Sequence, residues 1–264
     1  MRFYKKEIRT AIIVSALVLT AYILRVAQYD MPETAMSRII LRLVRHLIHT
    51  GLLMVWIVSL QNRILQKPVR RYLVATAMLM LFWLTVRVFK WDYTAEYTAL
   101  NRYCWYAYYI PMIIIPLLGI FIVEHIGKSE DYVMLRKKKF LYIPALLLIL
   151  AVFTNDIHRL VFAFPNGIEN YDRDYTYGFF YFFIIMAWFV GLGIYFIVQL
   201  LMKCRVPGRR TFRSLPAIVF GGAVLFWTAY CIFRIPCDLT AIDCLMIVLL
   251  LESAIQSGLI RCNS

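Results

Sequence analysis

The chain has 264 residues, of which 62% are hydrophobic and only 17% charged, and it carries a formal net charge of +14. Soluble domains hold about 25% charged residues, so a water-soluble globule is excluded and a lipid bilayer is the natural solvent. The excess of Lys and Arg does not mark a nucleic-acid binder, because the cations fall between apolar runs and not on one clustered face.

The amino-terminal stretch "MRFYKKEIRTAIIVSALVLTAYIL" pairs a basic start with an apolar core. No small-residue cleavage site follows, so the segment reads as an uncleaved first span. Apolar runs long enough to cross a bilayer then recur, and the predicted spans are 10–28, 39–60, 71–90, 104–124, 140–161, 178–202, 214–233 and 241–260. Charge orients them. With the amino terminus inside, 19 of the 29 Lys and Arg residues fall in inner segments, and the inner connections "QNRILQKPVRR", "RKKK" and "KCRVPGRRTFR" are short and basic. This positive-inside pattern puts both termini in the cytoplasm. The outer connections, "FKWDYTAEYTALNRYCWYAYY" and "NYDRDYTYGFFYFF", carry the Tyr and Trp that suit the headgroup level. Because backbone groups in lipid must bond internally, the expected fold class is all-α: a polytopic helical bundle of about eight transmembrane helices. Pro111, Pro116, Pro144 and Pro216 are expected to kink it.

The six cysteines show no CxxC pair and no zinc spacing. A bridge among Cys104, Cys231, Cys237 and Cys244 and a set of four packed thiols are both open readings.

Each charge inside a bilayer costs roughly 2.5–3.5 kcal/mol and usually faces the bundle interior. In the second span Arg38, Arg42, Arg45 or His46, and His49 recur every three or four residues, which makes one basic helix face in the outer half. In the fifth span, "LAVFTNDIHRLVFAF" sets Asn155, Asp156 and His158 within four residues. At 1.5 Å per residue Asp156 lies about 24 Å beyond Phe140, in the outer third of a roughly 30 Å core. Together with Tyr106 and its neighbours these groups suggest a pocket for a small polar or anionic ligand. The candidate ligand-binding residues are Asn155, Asp156, His158, Arg45, His49, Tyr108 and Tyr109. Internal pairing, with Arg45 against Asp156 and the other arginines snorkelling to headgroups, is an equally open reading. A third is a metal held by His46, His49 and either Asp156 or His158, but an HxxH pair is weak by itself, and neither a metal nor a cofactor is expected. In the eighth span Glu252 and Gln256 share a face, with Ser253 and Ser257 beside them. Counted from Cys244, Glu252 falls near the midplane, where it is either a structural link or part of a relay.

No GxxxxGK[ST], HExxH or GxSxG run occurs, and no nucleophile stands beside a base at recognisable spacing. An enzyme is therefore not expected. The stretches "WYAYYIPMIIIPLLGIF", "LLILAVFTNDIHRLVFAFPNG" and "LLLESAIQSGLIRCN" resemble the seven-helix membrane sensor region at the amino terminus of bacterial histidine kinases. The run Asn155-Asp156-x-His158 is the most specific element, followed by Tyr108-Tyr109-Ile110-Pro111. The likeness covers roughly residues 40 to 264, so the chain divides into an additional first span with its outer loop (1–38) and a seven-helix sensor bundle (39–264).

What the resemblance implies is a multi-pass protein of the bacterial plasma membrane in a two-component system. Its outer half would detect a small ligand or membrane signal. Its last helix, with Glu252 and Gln256 on the path, would pass the state to a cytoplasmic histidine-kinase-type or coiled-coil output region or to a separate partner, with a homodimer as one arrangement. With no kinase sequence read before Ser264, the expectation is an output region that is either missing here or carried by that partner. The alternative is a small-solute transporter or permease. Transport needs a polar path through both halves, whereas the polar residues concentrate in the outer half.

Overall fold

Lipid leaves a backbone no partner but itself, and the described residues are accordingly mostly helical. The computed structural model describes residues 2–29, 36–129, 132, 134, 136–171, 175–203, 214–233 and 238–256. The expectations for the basic connection 204–213, for Ser257 and for Cys204, Cys237 and Cys262 fall outside these residues, as does the side chain of Cys231. Cys104 and Cys244 are free thiols.

Helices α1 (Arg2–Tyr29) and α2 (Met36–Arg63) are followed by α3 (Lys67–Val88), whose C-terminal end winds into a π-helical turn over Phe89–Tyr93. Next come α4 (Ala99–Ala107) and α5 (Tyr109–His125), the short α6 (Arg136–Lys139), α7 (Tyr142–Phe153) and the single turn α8 (Asn155–His158). After a two-stranded hairpin come α9 (Ala187–Lys203), α10 (Leu215–Phe233) and α11 (Leu239–Gln256). Among the described residues, four stretches, Met36–Arg63, Lys67–Tyr93, Ala99–His125 and Leu239–Gln256, are long and apolar enough to cross a membrane. Tyr142–Phe153 and Ala187–Lys203 are apolar but shorter, and Ile12–Gln28 and Leu215–Tyr230 are apolar stretches within α1 and α10. Each of these eight segments overlaps one of the predicted runs, although Ala99–His125 is divided between α4 and α5.

The chain divides into two compact units, Met1–Ser59 and Leu60–Ser264. In the first, Arg45 on α2 donates through Nη1 to Gln28 Oε1 on α1 (2.9 Å), and Gln28 Nε2 donates to the Arg38 carbonyl (3.4 Å). Gln28 is buried by this exchange. In the second unit α5 is the central helix: it packs on α3, α7 and α9, while α10 and α3 pack on α11. Ile113, Leu117, Phe121, Ile122 and Val123 of α5 are fully buried. The opposite pattern holds outside, where Leu146, Leu147, Ile218 and Leu225 are exposed. A soluble monomer rarely shows so large an apolar surface; for a protein solvated by acyl chains it is the expected outer wall.

The prolines do less kinking than predicted. Pro144 sits in the first turn of α7 and Pro216 in the first turn of α10, where a missing N–H costs nothing. Pro111 falls in the first turn of α5 and explains why the fourth predicted span is two helices: it cannot donate to the Ala107 carbonyl and its ring crowds it. The break is at Tyr108, whose N–H turns to the Trp105 carbonyl (3.1 Å). Only Pro116 lies inside a helix.

The fifth predicted span also ends early. Regular helix stops at Phe153, and Asn155-Asp156-Ile157-His158 forms a separate turn closed by Arg159 at a left-handed φ of 54°. The chain then enters strand β1 (Phe162–Ala163), which pairs antiparallel with β2 (Thr176–Tyr177) in the register Phe162↔Tyr177 and Ala163↔Thr176. Apolar periodicity does not announce a hairpin among the helices. It closes tightly: the Gly178 N–H donates to the Val161 carbonyl (2.8 Å), and a Cβ on Gly178 would meet the Leu160 carbonyl oxygen at 2.1 Å.

Candidate functional site

The polar cluster at the end of α7 is a joint between three elements. Asn155, fully buried, accepts from the N–H groups of Val161 and Phe162 through Oδ1 (both 3.0 Å) and donates through Nδ2 to the Phe162 carbonyl (2.9 Å). One amide thus satisfies three backbone groups that would otherwise be orphaned where helix gives way to strand. Its Nδ2 also approaches Tyr106 Oη (3.4 Å).

His158 closes the same turn from outside. Its Nδ1 accepts from the Leu160 N–H (3.0 Å), and its Nε2 faces the Ala151 carbonyl (3.0 Å) and Thr154 Oγ1 (3.3 Å). With Nδ1 accepting, the proton of a neutral ring lies on Nε2 and points at the last free carbonyls of α7. Thr154 adds a bond to the Leu150 carbonyl (2.7 Å).

Asp156 reaches across to α4. Arg102 meets it through Nε, 3.2 Å from Oδ1 and 3.1 Å from Oδ2, and through Nη2, 2.8 Å from Oδ2. Tyr106, one turn along α4 on the same face, donates to Oδ1 at 2.6 Å. The Asp156 and Arg102 side chains are only 19% and 11% exposed. Asp156 therefore takes its cation from Arg102, and the guanidinium of Arg45 is engaged with Gln28.

What the joint positions is Phe162. Its fully buried ring packs against Trp105 (centroids 4.5 Å apart), Tyr106, Tyr109, Tyr175, Tyr177 and Tyr181. Tyr177 stacks on Tyr181 at 3.9 Å. This aromatic cap continues to Tyr171, whose hydroxyl donates to Asn101 Oδ1. Asn101 in turn donates to the Lys90 carbonyl (2.9 Å) and to Thr94 Oγ1 (2.7 Å), securing the π-helical end of α3. Lys90 is only 2% exposed, with its ammonium 3.9 Å from the centroid of Trp91. Of the tyrosines that composition assigns to headgroups, Tyr106, Tyr109, Tyr171 and Tyr181 are turned inward, whereas Tyr93, Tyr97, Tyr103 and Tyr177 stay exposed.

A family model for the N-terminal 7TM region of histidine kinase matches residues 43–258. The chain belongs to this family. The matched stretch runs from α2 into the last helix and leaves α1 outside it. No curated protein and no solved structure matches the chain significantly.

The other end of the bundle holds a second set of polar contacts. α5 ends about 24 Å from its start, at 1.5 Å per residue. There Glu124 pairs with Lys138 of α6, Tyr195 of α9 approaches Glu124 Oε1 (3.4 Å), and the Lys203 ammonium donates to the Val123 carbonyl. Burial works against the charge on Lys138, yet its hydrogen bond to the Glu124 carboxylate outweighs this and raises the lysine above its ordinary pKa. Gln66 donates to the carbonyls of His125 (2.8 Å) and Lys128 (3.3 Å), joining the α2–α3 turn to the same end.

The last helix, α11, is tied at both ends. Arg87 of α3 pairs with Asp238 just ahead of α11 (2.8 Å), and Arg63, the last residue of α2, pairs with Glu252 (2.7 Å). Between them Trp227 of α10 donates to Asp243 Oδ1 (3.0 Å). Glu252 therefore belongs to the Gln66 end of the bundle, not to its middle, a position that counting from Cys244 misses because α11 starts at Leu239. Gln256 is the last described residue and is exposed.

Of the other residues that the sequence singles out, Tyr109 is in the cap, and Tyr108 is half-buried at the α4–α5 break. His49 and Arg45 are half-buried on α2, where His49 Nδ1 donates to the Arg45 carbonyl (2.9 Å). Among the described residues no group of three or more His, Cys, Asp or Glu side chains stands close enough to hold a metal ion. Sequence reasoning places Arg102 near an outer helix end but does not pair it with Asp156. The one signal of that pairing is the spacing of Arg102 and Tyr106, four residues apart on one helix face.

Proposed function

We propose that the chain is a sensory module of the cell membrane. In this reading the aromatic cap takes the input, and α11 carries the state to a histidine-kinase-type output on the cytoplasmic side. The observation that carries the reading is the double tether of α11, with Arg87–Asp238 at one end and Arg63–Glu252 at the other. A ligand shifts a two-state bundle only by binding one state better than the other, and two polar latches on the output helix supply discrete contacts that such states can make or break.

Asn155, Asp156 and His158 hold the cap in shape, while the partly exposed rings of Tyr175 and Tyr177 meet the ligand. Tyr108, Tyr109, Arg45 and His49 stay in the proposal as further ligand contacts, and Gln256 joins Glu252 on the output path. The middle of the bundle counts against transport. Its cavity, about 90 Å³, is bounded by Ile115, Pro116, Phe196, Phe220, Ile247 and Leu251, with Thr76 as the lone hydroxyl.

The test joins residues 1–264 to the catalytic half of a histidine kinase and measures autophosphorylation in inverted membrane vesicles. Glu252→Gln and Arg63→Gln each shift basal phosphorylation about fivefold or more in the same direction, the scale of a typical coupling energy, with insertion unchanged. Basal output equal to wild type in both variants removes α11 from the signalling path.

A further inference from the structure

At the end of the bundle that carries Glu124, the chain turns from α2 into α3 through Ile64, Leu65 and Gln66, and Pro68 lies in the first turn of α3. A groove of about 320 Å³ opens beside this turn, lined by Gln61, Arg70, Arg71, Val74 and Ala75. Arg70 spans its wall with two long bonds from Nη1, 3.4 Å to each of the carbonyls of Gln61 and Ile64. These leave most of its five donors unused. Arg71 is exposed.

Charge balance sets this place apart. The guanidinium groups of Arg63, Arg87 and Arg102 each pair with a carboxylate. Among the described residues no carboxylate pairs with Arg70 or Arg71. Two adjacent cations therefore face one groove with their charge uncompensated. One turn further along α3, toward the middle of the span, the lining changes to Val74 and Ala75. A cationic rim at the membrane edge with an apolar floor beneath follows the polarity of a phospholipid read from headgroup to chain. A soluble anion has no use for the floor.

We propose that this groove binds an anionic phospholipid, its phosphate between Arg70 and Arg71 and the start of an acyl chain along Val74 and Ala75. Basic pockets between helices at the cytoplasmic face suit such headgroups, and each Lys or Arg near the surface adds to the attraction. The site is independent of the cap and of any ligand there. Only the choice of leaflet rests on the proposed orientation, which makes it the inner one.

The test reconstitutes the full chain in nanodiscs of phosphatidylcholine containing phosphatidylglycerol and counts retained lipids by native mass spectrometry. Wild type holds phosphatidylglycerol in preference to phosphatidylcholine. The R70Q/R71Q double variant loses about tenfold or more of that preference, the loss of two such cations, and R71Q alone about threefold. Because Arg71 is exposed and supports no internal bond among the described residues, the single variant keeps the fold if the double variant does not. Lys139→Gln, an exposed cation outside the groove, matches wild type. Retention unchanged in R71Q and in the double variant overturns the proposal. Displacement of the lipid by millimolar glycerol phosphate also overturns it, assigning the groove to a soluble anion.

Discussion

Asp156→Asn is expected to lower the unfolding free energy in detergent micelles by about 3 kcal/mol, the lower edge of what breaking a buried ion pair costs. The lower edge applies because the two side chains keep 19% and 11% of their exposure. The loss comes less from the carboxylate than from Arg102, left with a desolvated charge that only Tyr103 and Tyr171 flank as rings, at 6.0 and 5.7 Å. Arg102→Gln gives a similar loss. The double variant loses much less than the sum, with a coupling of about 2 kcal/mol, since the two groups act as a unit. Replacing Asp156 also releases the Tyr106 hydroxyl from a carboxylate that it reaches at 2.6 Å. Unfolding curves in a graded denaturant series check this. Additive losses in the double variant would mean that the pair contributes only through its separate contacts.

Asn155→Ala produces the second large effect. Two buried N–H groups, of Val161 and Phe162, lose their acceptor, and the Phe162 carbonyl loses a donor. Each buried polar group left unsatisfied costs about 1–3 kcal/mol, so a loss of at least about 3 kcal/mol is expected. The damage is local in character. Phe162 is no longer held at the centre of the cap, and the connection between Arg159 and Gly178 becomes open to protease added from the cap side. Asn155→Asp retains the acceptor for the two N–H groups but sets a carboxylate against the Phe162 carbonyl, so it falls between wild type and Asn155→Ala. Limited proteolysis of membrane vesicles reads the difference. Equal cleavage rates for wild type and Asn155→Ala would show that the hairpin stands without the amide.

Much of the architecture is written in composition. Apolar runs of about 20 residues have one stable form in lipid, and the helices fall where those runs fall. What the runs do not show is where a helix breaks inside them. Phe153 and Arg159 bracket a turn whose partners are backbone groups of residues not yet paired into a hairpin, and no spacing in the sequence marks them. The same limit governs the site. Asn155, Asp156 and His158 stand out because an amide, a carboxylate and an imidazole are costly in an apolar run. Their task is hidden because Arg102 lies 54 residues upstream of Asp156. Lys90 is hidden too, since Tyr171, whose ring centroid lies 6.0 Å from its ammonium, comes near it only in the folded cap. Glu252 is legible as unusual but misplaced by counting, because helix starts are set by local capping and not by hydropathy.

A sensor that takes its input at the aromatic cap requires the cap to face away from the cytoplasm and the Lys138 end to face into it. Single cysteines at exposed positions of the two ends, Glu169→Cys and Lys139→Cys, test this most directly when placed in a background in which the six native cysteines are replaced. A membrane-impermeant thiol reagent applied to intact cells is expected to label the residue-169 cysteine at once and the residue-139 cysteine only after the membrane is permeabilised. Labelling at residue 139 in intact cells, with residue 169 protected, would contradict this orientation and the sensor built on it.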